Sequence, residues 1–96
     1  ISGNNQLSNT QLVKKILKNL NKPEDLIYYV ADRPGHDVRY SLDSSKIRHK
    51  LGWKPKQEFG KSLTETINWY LENQNEWKHL ATKQMLTPTP WKKYRK

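Results

Sequence analysis

No cysteine occurs anywhere in the 96 residues, which excludes a disulfide framework and thiolate chemistry. Hydrophobic residues are scarce as well. At 33% they fall below the roughly 45–50% of an average globular chain, a figure that also counts glycine, so any core must be thin. No apolar run approaches the ~20 residues of a membrane helix, and nothing resembles a signal peptide. There is no Gly-rich dinucleotide fingerprint and no phosphate loop with its Gly-Lys-Ser/Thr, so this stretch offers no cofactor cradle. His36, His49 and His79 stand far apart without carboxylates at ligand spacing, which argues against a metal site. The chain does not open on methionine, and its length fits one small domain or a piece of a larger one; the expectation is a piece. A reducing cytoplasm is compatible with the lack of cysteine.

Acidic residues are outnumbered two to one, with 18 Lys and Arg against 9 Asp and Glu and a net charge of +9. That balance suits a polyanionic partner, nucleic acid included. The distribution weakens the idea, because only Trp91-Lys92-Lys93-Tyr94-Arg95-Lys96 is densely basic. Aromatic and basic residues interleaved in this way can stack on bases and neutralise phosphates, or the end can simply be solvated.

The richest chemistry lies in Asp32-Arg33-Pro34-Gly35-His36-Asp37-Val38-Arg39-Tyr40. Pro34 fixes φ and Gly35 permits positive φ, so the chain can reverse tightly and aim the flanking side chains at one ligand. Arginine suits a phosphate or diphosphate because its planar fork donates two parallel charge-assisted hydrogen bonds. Local composition leaves a second reading open: a surface loop in which Arg33 or Arg39 pairs with Asp32 or Asp37, exposed pairs being worth about 0–1 kcal/mol. His36 can donate to a phosphate or a sugar hydroxyl, although nothing in the sequence orients it as an acid or base.

Around this turn the pattern predicts an α+β fold, mostly helical with two or three short strands. Ile1 reads as the end of a strand running into the polar turn Ser2 to Asn5. Ser8 and Gln11 have capping-box spacing and Leu7 and Leu12 form a staple, so a helix should begin near Asn9 and bury Leu12, Val13, Ile16, Leu17 and Leu20. Asn9 would stand at the positive end of that helix, as a ligand contact or as an auxiliary cap. Leu26 to Ala31 is β-branched and aromatic and reads as a strand delivering the turn at its C-terminal end. Ligands of open α/β sheets collect at such strand ends.

Val38 to Leu42 reads as a second strand. A short helix from Ser44 to Leu51 follows, capped by Asp43, stopped by Gly52 and covered by Trp53. A third helix, roughly Phe59 to Asn73, should bury Phe59, Leu63, Ile67, Tyr70 and Leu71, with Trp69 and Trp77 in the core or an interface. Glu65, Glu72 and Glu76 share a solvated face. Residues 82–96, with their Thr-Pro-Thr-Pro run, read as a basic, extended and mobile tail beyond a folded unit at 1–81.

The order Ser2-Gly3-Asn4-Asn5, Asn9, Asp32 to Tyr40, Asp43 to Ile47, Leu51-Gly52-Trp53 and Thr66 to Asn73 closely resembles the C-terminal end of the dTDP-glucose 4,6-dehydratase family, within the extended short-chain dehydrogenases/reductases. The likeness covers about residues 1 to 77. The Leu-Gly-Trp segment and the last helix are shared with other members; the Asp-Arg-Pro-Gly-His-Asp-x-Arg-Tyr run is far more specific. The resemblance implies a small substrate-binding lobe that lacks the Rossmann domain, where NAD, the catalytic tyrosine and lysine, and the eliminating Asp/Glu pair reside. It implies a dTDP-sugar as ligand and a homodimeric parent lyase that makes dTDP-4-keto-6-deoxyglucose and water from dTDP-glucose. This chain alone should be inactive, with no catalytic residue.

Residue by residue, the resemblance carries substrate binding to Asn9, Asp32, Arg33, Pro34, Gly35 and His36. Arg33 would hold the diphosphate, His36 a phosphate or sugar edge, and Asn9 the phosphates or nucleoside. Val38 departs from the arginine often found there, which puts a peripheral contact in doubt. Gly60 near the start of the last helix costs up to about 1 kcal/mol of propensity if interior. A related nucleotide-sugar epimerase or decarboxylase, or a basic nucleic-acid module, are the competing readings.

Overall fold

The computed structural model describes residues 1–82 together with 85, 86 and 92. Helix α1 spans Asn9–Asn19 and starts as its sequence dictates: the Ser8 hydroxyl accepts from the Gln11 N–H while the Gln11 side chain accepts from the Ser8 N–H. It ends in a Schellman arrangement. Asn21 takes the left-handed role at φ 51°, Lys22 N–H donates to Leu17 C=O, and Asn21 N–H donates to Lys18 C=O. Pro23 then prevents continuation.

Helix α2 spans Ser45–Leu51, with the Asp43 carboxylate accepting from Ser45 N–H and Gly52 stopping it at φ 63°. Helix α3 spans Phe59–Glu72. Its cap is the Glu58 carboxylate, which accepts from Gly60 N–H at 2.8 Å and Lys61 N–H at 3.0 Å, and these bonds hold the Glu58 carboxyl below its ordinary pKa. A Cβ at Gly60 would stand 3.2 Å from both carboxylate oxygens, so the low propensity of glycine here makes room for the cap. The short helix α4, Gln74–Trp77, folds back so that the Trp77 indole N–H donates to Tyr70 C=O at 2.8 Å and the two rings meet edge to face.

Helix α1 packs against α3. Leu12, Ile16 and Leu20 are half-buried at i, i+4, i+8 on one, as are Phe59, Leu63 and Ile67 on the other. The core is as thin as the composition implies: among the described residues, Leu17 is the one buried apolar side chain. Val13, Tyr70 and Leu71, expected inside, are exposed, and so is Leu51 at 77%, which Trp53 does not cover; Trp69, expected in the core or an interface, lies outside the core.

The expected α+β class is overturned, because no strand exists among the described residues. Leu26 belongs to a 3₁₀ turn, Glu24–Leu26, and Ile27 is extended at φ −76°, ψ 120°. Residues 28–32 and 38–42 make no backbone–backbone hydrogen bond, and Ile1 likewise ends no strand. The residues have the chemistry of strands, but a strand is defined by a backbone ladder to a neighbour, and the contacts of residues 38–42 with the segment before α1 run through the Ser2, Gln6 and Ser41 side chains instead. The expected basic tail falls largely outside the described residues, as does the Trp91 to Lys96 cluster except for Lys92. No helix among the described residues is long and apolar enough to cross a membrane.

The most buried residue is polar. Ser44, 1% exposed, donates its hydroxyl to Asn4 Oδ1 at 3.0 Å and accepts from Arg48 Nε at 2.9 Å. Ser44→Ala should lower unfolding free energy by about 1–3 kcal/mol, since the arginine donor is left without its acceptor. Ser8→Ala should cost about 0.5–2 kcal/mol through the lost cap. Urea denaturation followed by helical circular dichroism checks both.

Candidate functional site

The turn forms as Pro34 and Gly35 require. His36 N–H donates to Arg33 C=O at 3.3 Å with Gly35 at φ 68°, the pattern of a type II turn. Nothing lies within 4 Å of a Cβ built on Gly35, so the positive φ, not crowding, demands glycine there. The reversal brings Asp32 and His36 together: Asp32 Oδ1 lies 2.6 Å from His36 Nδ1 and also accepts from Arg33 N–H at 2.9 Å. The histidine hydrogen bond, followed by the Arg33 amide and the charges of His36 and Arg33, holds the Asp32 carboxyl below its ordinary value of 3.8.

Asp32 is engaged by His36, and among the described residues neither Arg33 nor Arg39 has a carboxylate within ion-pair distance. The Arg33 fork is uncommitted. The carboxylate also orients the imidazole, a relation the sequence reading missed although an i, i+4 Asp–His pair across Pro-Gly is its signal. With Nδ1 on Asp32, Nε2 is left for a ligand. Val38 is fully exposed.

Asn9 is the first residue of α1 and is exposed. Ser8 and Gln11 perform the capping, and the Asn9 side chain makes no hydrogen bond among the described residues, so the auxiliary-cap reading fails. No hydrogen bond joins Asn9 to the turn. Their chain segments are nonetheless tied together: Gln6 Nε2 donates to Ser41 Oγ at 2.9 Å, and the Ser2 hydroxyl lies 2.8 Å from Leu42 C=O. Neither of two cavities, about 450 and 470 Å³, is lined by Asn9 or by residues 32–36. The first is a basic cleft of Lys14, Lys15, Lys18 and Lys22, in which Lys14 pairs with Glu24 at 2.7 Å. The second adjoins Ser44 and α2.

The turn thus displays an uncommitted guanidinium beside an imidazole held by a carboxylate, groups able to donate hydrogen bonds to an anion or a hydroxyl. Comparison with known proteins gives the class: the chain is similar to part of nucleotide-sugar dehydratases. In particular, it is 42% identical over 90 residues to the dTDP-glucose 4,6-dehydratase of Streptomyces niveus, covering 94% of this chain and 27% of the relative. To that of Escherichia coli it is 44% identical over 83% of this chain and 25% of the relative. To that of Haemophilus influenzae it is 48% identical over 76% of this chain and 25% of the relative.

A crystal structure of the Bacillus anthracis dTDP-glucose 4,6-dehydratase in complex with NAD superposes with TM-score 0.77 at 40% identity, over 83% of this chain and 25% of that one. No protein-family profile matches the chain. The chain spans about a quarter of the length of the curated relatives it matches. Its residues do not fit NAD: Gly3, Gly35, Gly52 and Gly60 stand apart, and none builds a glycine-rich strand-to-helix turn.

The depressed Asp32 pKa has a defined sign. The contact contributes fully above the unfolded carboxyl value and fades as pH falls through the lower folded one. A carboxyl-detected NMR titration should place the Asp32 midpoint below 3.8, and His36→Ala should move it back toward 3.8.

Proposed function

We propose that residues 1–81 act as the substrate-gripping lobe of a dTDP-glucose 4,6-dehydratase, the NAD-dependent lyase that converts dTDP-glucose to dTDP-4-keto-6-deoxyglucose and water. The observation that carries this reading is the uncommitted Arg33 guanidinium beside an imidazole oriented by Asp32. Both sit in a chain 42–48% identical to such enzymes. Arg33 holds the diphosphate in a bidentate grip. His36 offers Nε2 to a phosphate or sugar hydroxyl, and Asn9 offers its free amide to the phosphates or nucleoside. Asp32 positions His36, while Pro34 and Gly35 set the turn.

NAD, hydride transfer and elimination belong to the portion of such an enzyme that this chain does not span, so its own part is binding alone. The assembled enzyme is a cytoplasmic homodimer in this reading, and residues 82–96 lie outside the grip.

Isothermal titration of dTDP into the 96-residue chain tests the reading. Arg33→Ala should weaken binding about 10- to 100-fold, the worth of one charge-assisted bidentate contact. Deleting Trp91 to Lys96 should change affinity little. The reverse pattern, with affinity carried by the basic end, would favour a nucleic-acid module instead.

A further inference from the structure

Ser44 stands at the head of α2, where a serine hydroxyl ordinarily caps the helix. Here it makes no cap bond, because the Asp43 carboxylate accepts from the Ser45 N–H in its place. The hydroxyl is turned the other way. It donates to Asn4 Oδ1 at 3.0 Å, forty positions upstream, and accepts from Arg48 Nε at 2.9 Å. Asn4 meets it at φ 55°, a left-handed conformation that short amide side chains tolerate.

The two stretches joined in this way lead to the candidate ligand contacts. Asn4 lies in the approach to α1, whose first residue is Asn9, and Ser44 follows the segment that leaves the turn of Arg33 and His36. Among the described residues three hydrogen bonds span these stretches: Ser2 to Leu42, Gln6 to Ser41 and Ser44 to Asn4. The first two are exposed, so water competes for each partner. Ser44 is 1% exposed and also holds a charge-assisted bond from Arg48, so its contact with Asn4 is the one that water does not replace.

We propose that Ser44 is a positioning residue of the dTDP grip. By clasping Asn4 while Arg48 holds it to α2, it fixes where the start of α1, with Asn9, stands relative to the chain that presents Arg33 and His36. It touches no ligand itself. The proposal rests on the functional reading above and adds to it a residue that acts through the others.

Two measurements on the 96-residue chain test it. The chain has no cysteine, so Lys18→Cys and Tyr40→Cys, both at exposed positions, accept a pair of spin labels, and pulsed electron resonance reads the distance between α1 and the leaving leg. The distribution should be narrow, and Ser44→Ala should spread it. Asn4→Gly, which keeps the left-handed backbone and removes the acceptor, should spread it as well, whereas Asn4→Asp, which keeps an acceptor, should not. Glu58→Ala, which destabilises the fold through the α3 cap instead, should leave the distribution narrow.

In dTDP titrations Ser44→Ala should weaken binding about 10-fold, the worth of one misplaced polar contact. In an Asn9→Ala background the same change should cost less than about 2-fold, because the contact that the clasp positions is already gone. Equal losses in both backgrounds overturn the proposal by making the role of Ser44 merely structural, and so does an unaltered label distance in folded Ser44→Ala and Asn4→Gly. If the label distance responds as expected while Arg33→Ala leaves dTDP binding unchanged, the functional reading falls and the clasp stands.

Discussion

The Ser44 hydroxyl joins two stretches that are distant in sequence, and the geometry around the turn follows from that junction. It donates to Asn4 and receives Arg48, while Asn4, left-handed at φ 55°, also has the Ser2 hydroxyl 2.8 Å from its side-chain oxygen. The chain leading into α1 is thereby laid along the chain that leaves the turn, with Gln6 to Ser41 as a further rung. In a protein with a larger core such bonds, worth about 0.5–1.5 kcal/mol net each, would refine an arrangement already set by apolar burial. Here Leu17 is the one buried apolar residue described, so polar side-chain contacts carry much of the tertiary definition.

What the sequence revealed was local, and what it concealed depended on neighbours. The α1 cap, the Gly52 stop, the start of α3 at Phe59 and the Pro-Gly reversal each depend on residues within a few positions of one another, and each formed where the pattern placed it. Leu26 to Ala31 and Val38 to Leu42 failed as strands although their composition is right, because a ladder needs backbone pairing with a second segment and neither stretch makes a backbone–backbone ladder. A related reason explains Leu51 and Leu71: periodicity identifies an apolar face, but burial requires a surface opposite, and these side chains remain exposed here. Ser44 carried no signal at all, since its burial arises from contacts forty positions away with Asn4.

Within the turn, the decisive feature is how the carboxylates are disposed. Had Asp32 or Asp37 paired with Arg33, a phosphate would have to displace a carboxylate before binding, and much of the attraction would be spent in the exchange. By giving Asp32 to His36 and to its own neighbour's amide, the loop keeps an acidic group for shape while leaving the guanidinium open. The histidine gains an orientation that a solvent-exposed ring otherwise lacks. The arrangement is chemically specific, since lysine at position 33 would keep the charge and lose the fork.

Orientation within the turn is separate from the rigidity of its two legs, both without backbone–backbone hydrogen bonds. Holding each backbone residue in one conformation costs roughly 1–2 kcal/mol, and a ligand that must order several such residues loses that much from its binding free energy.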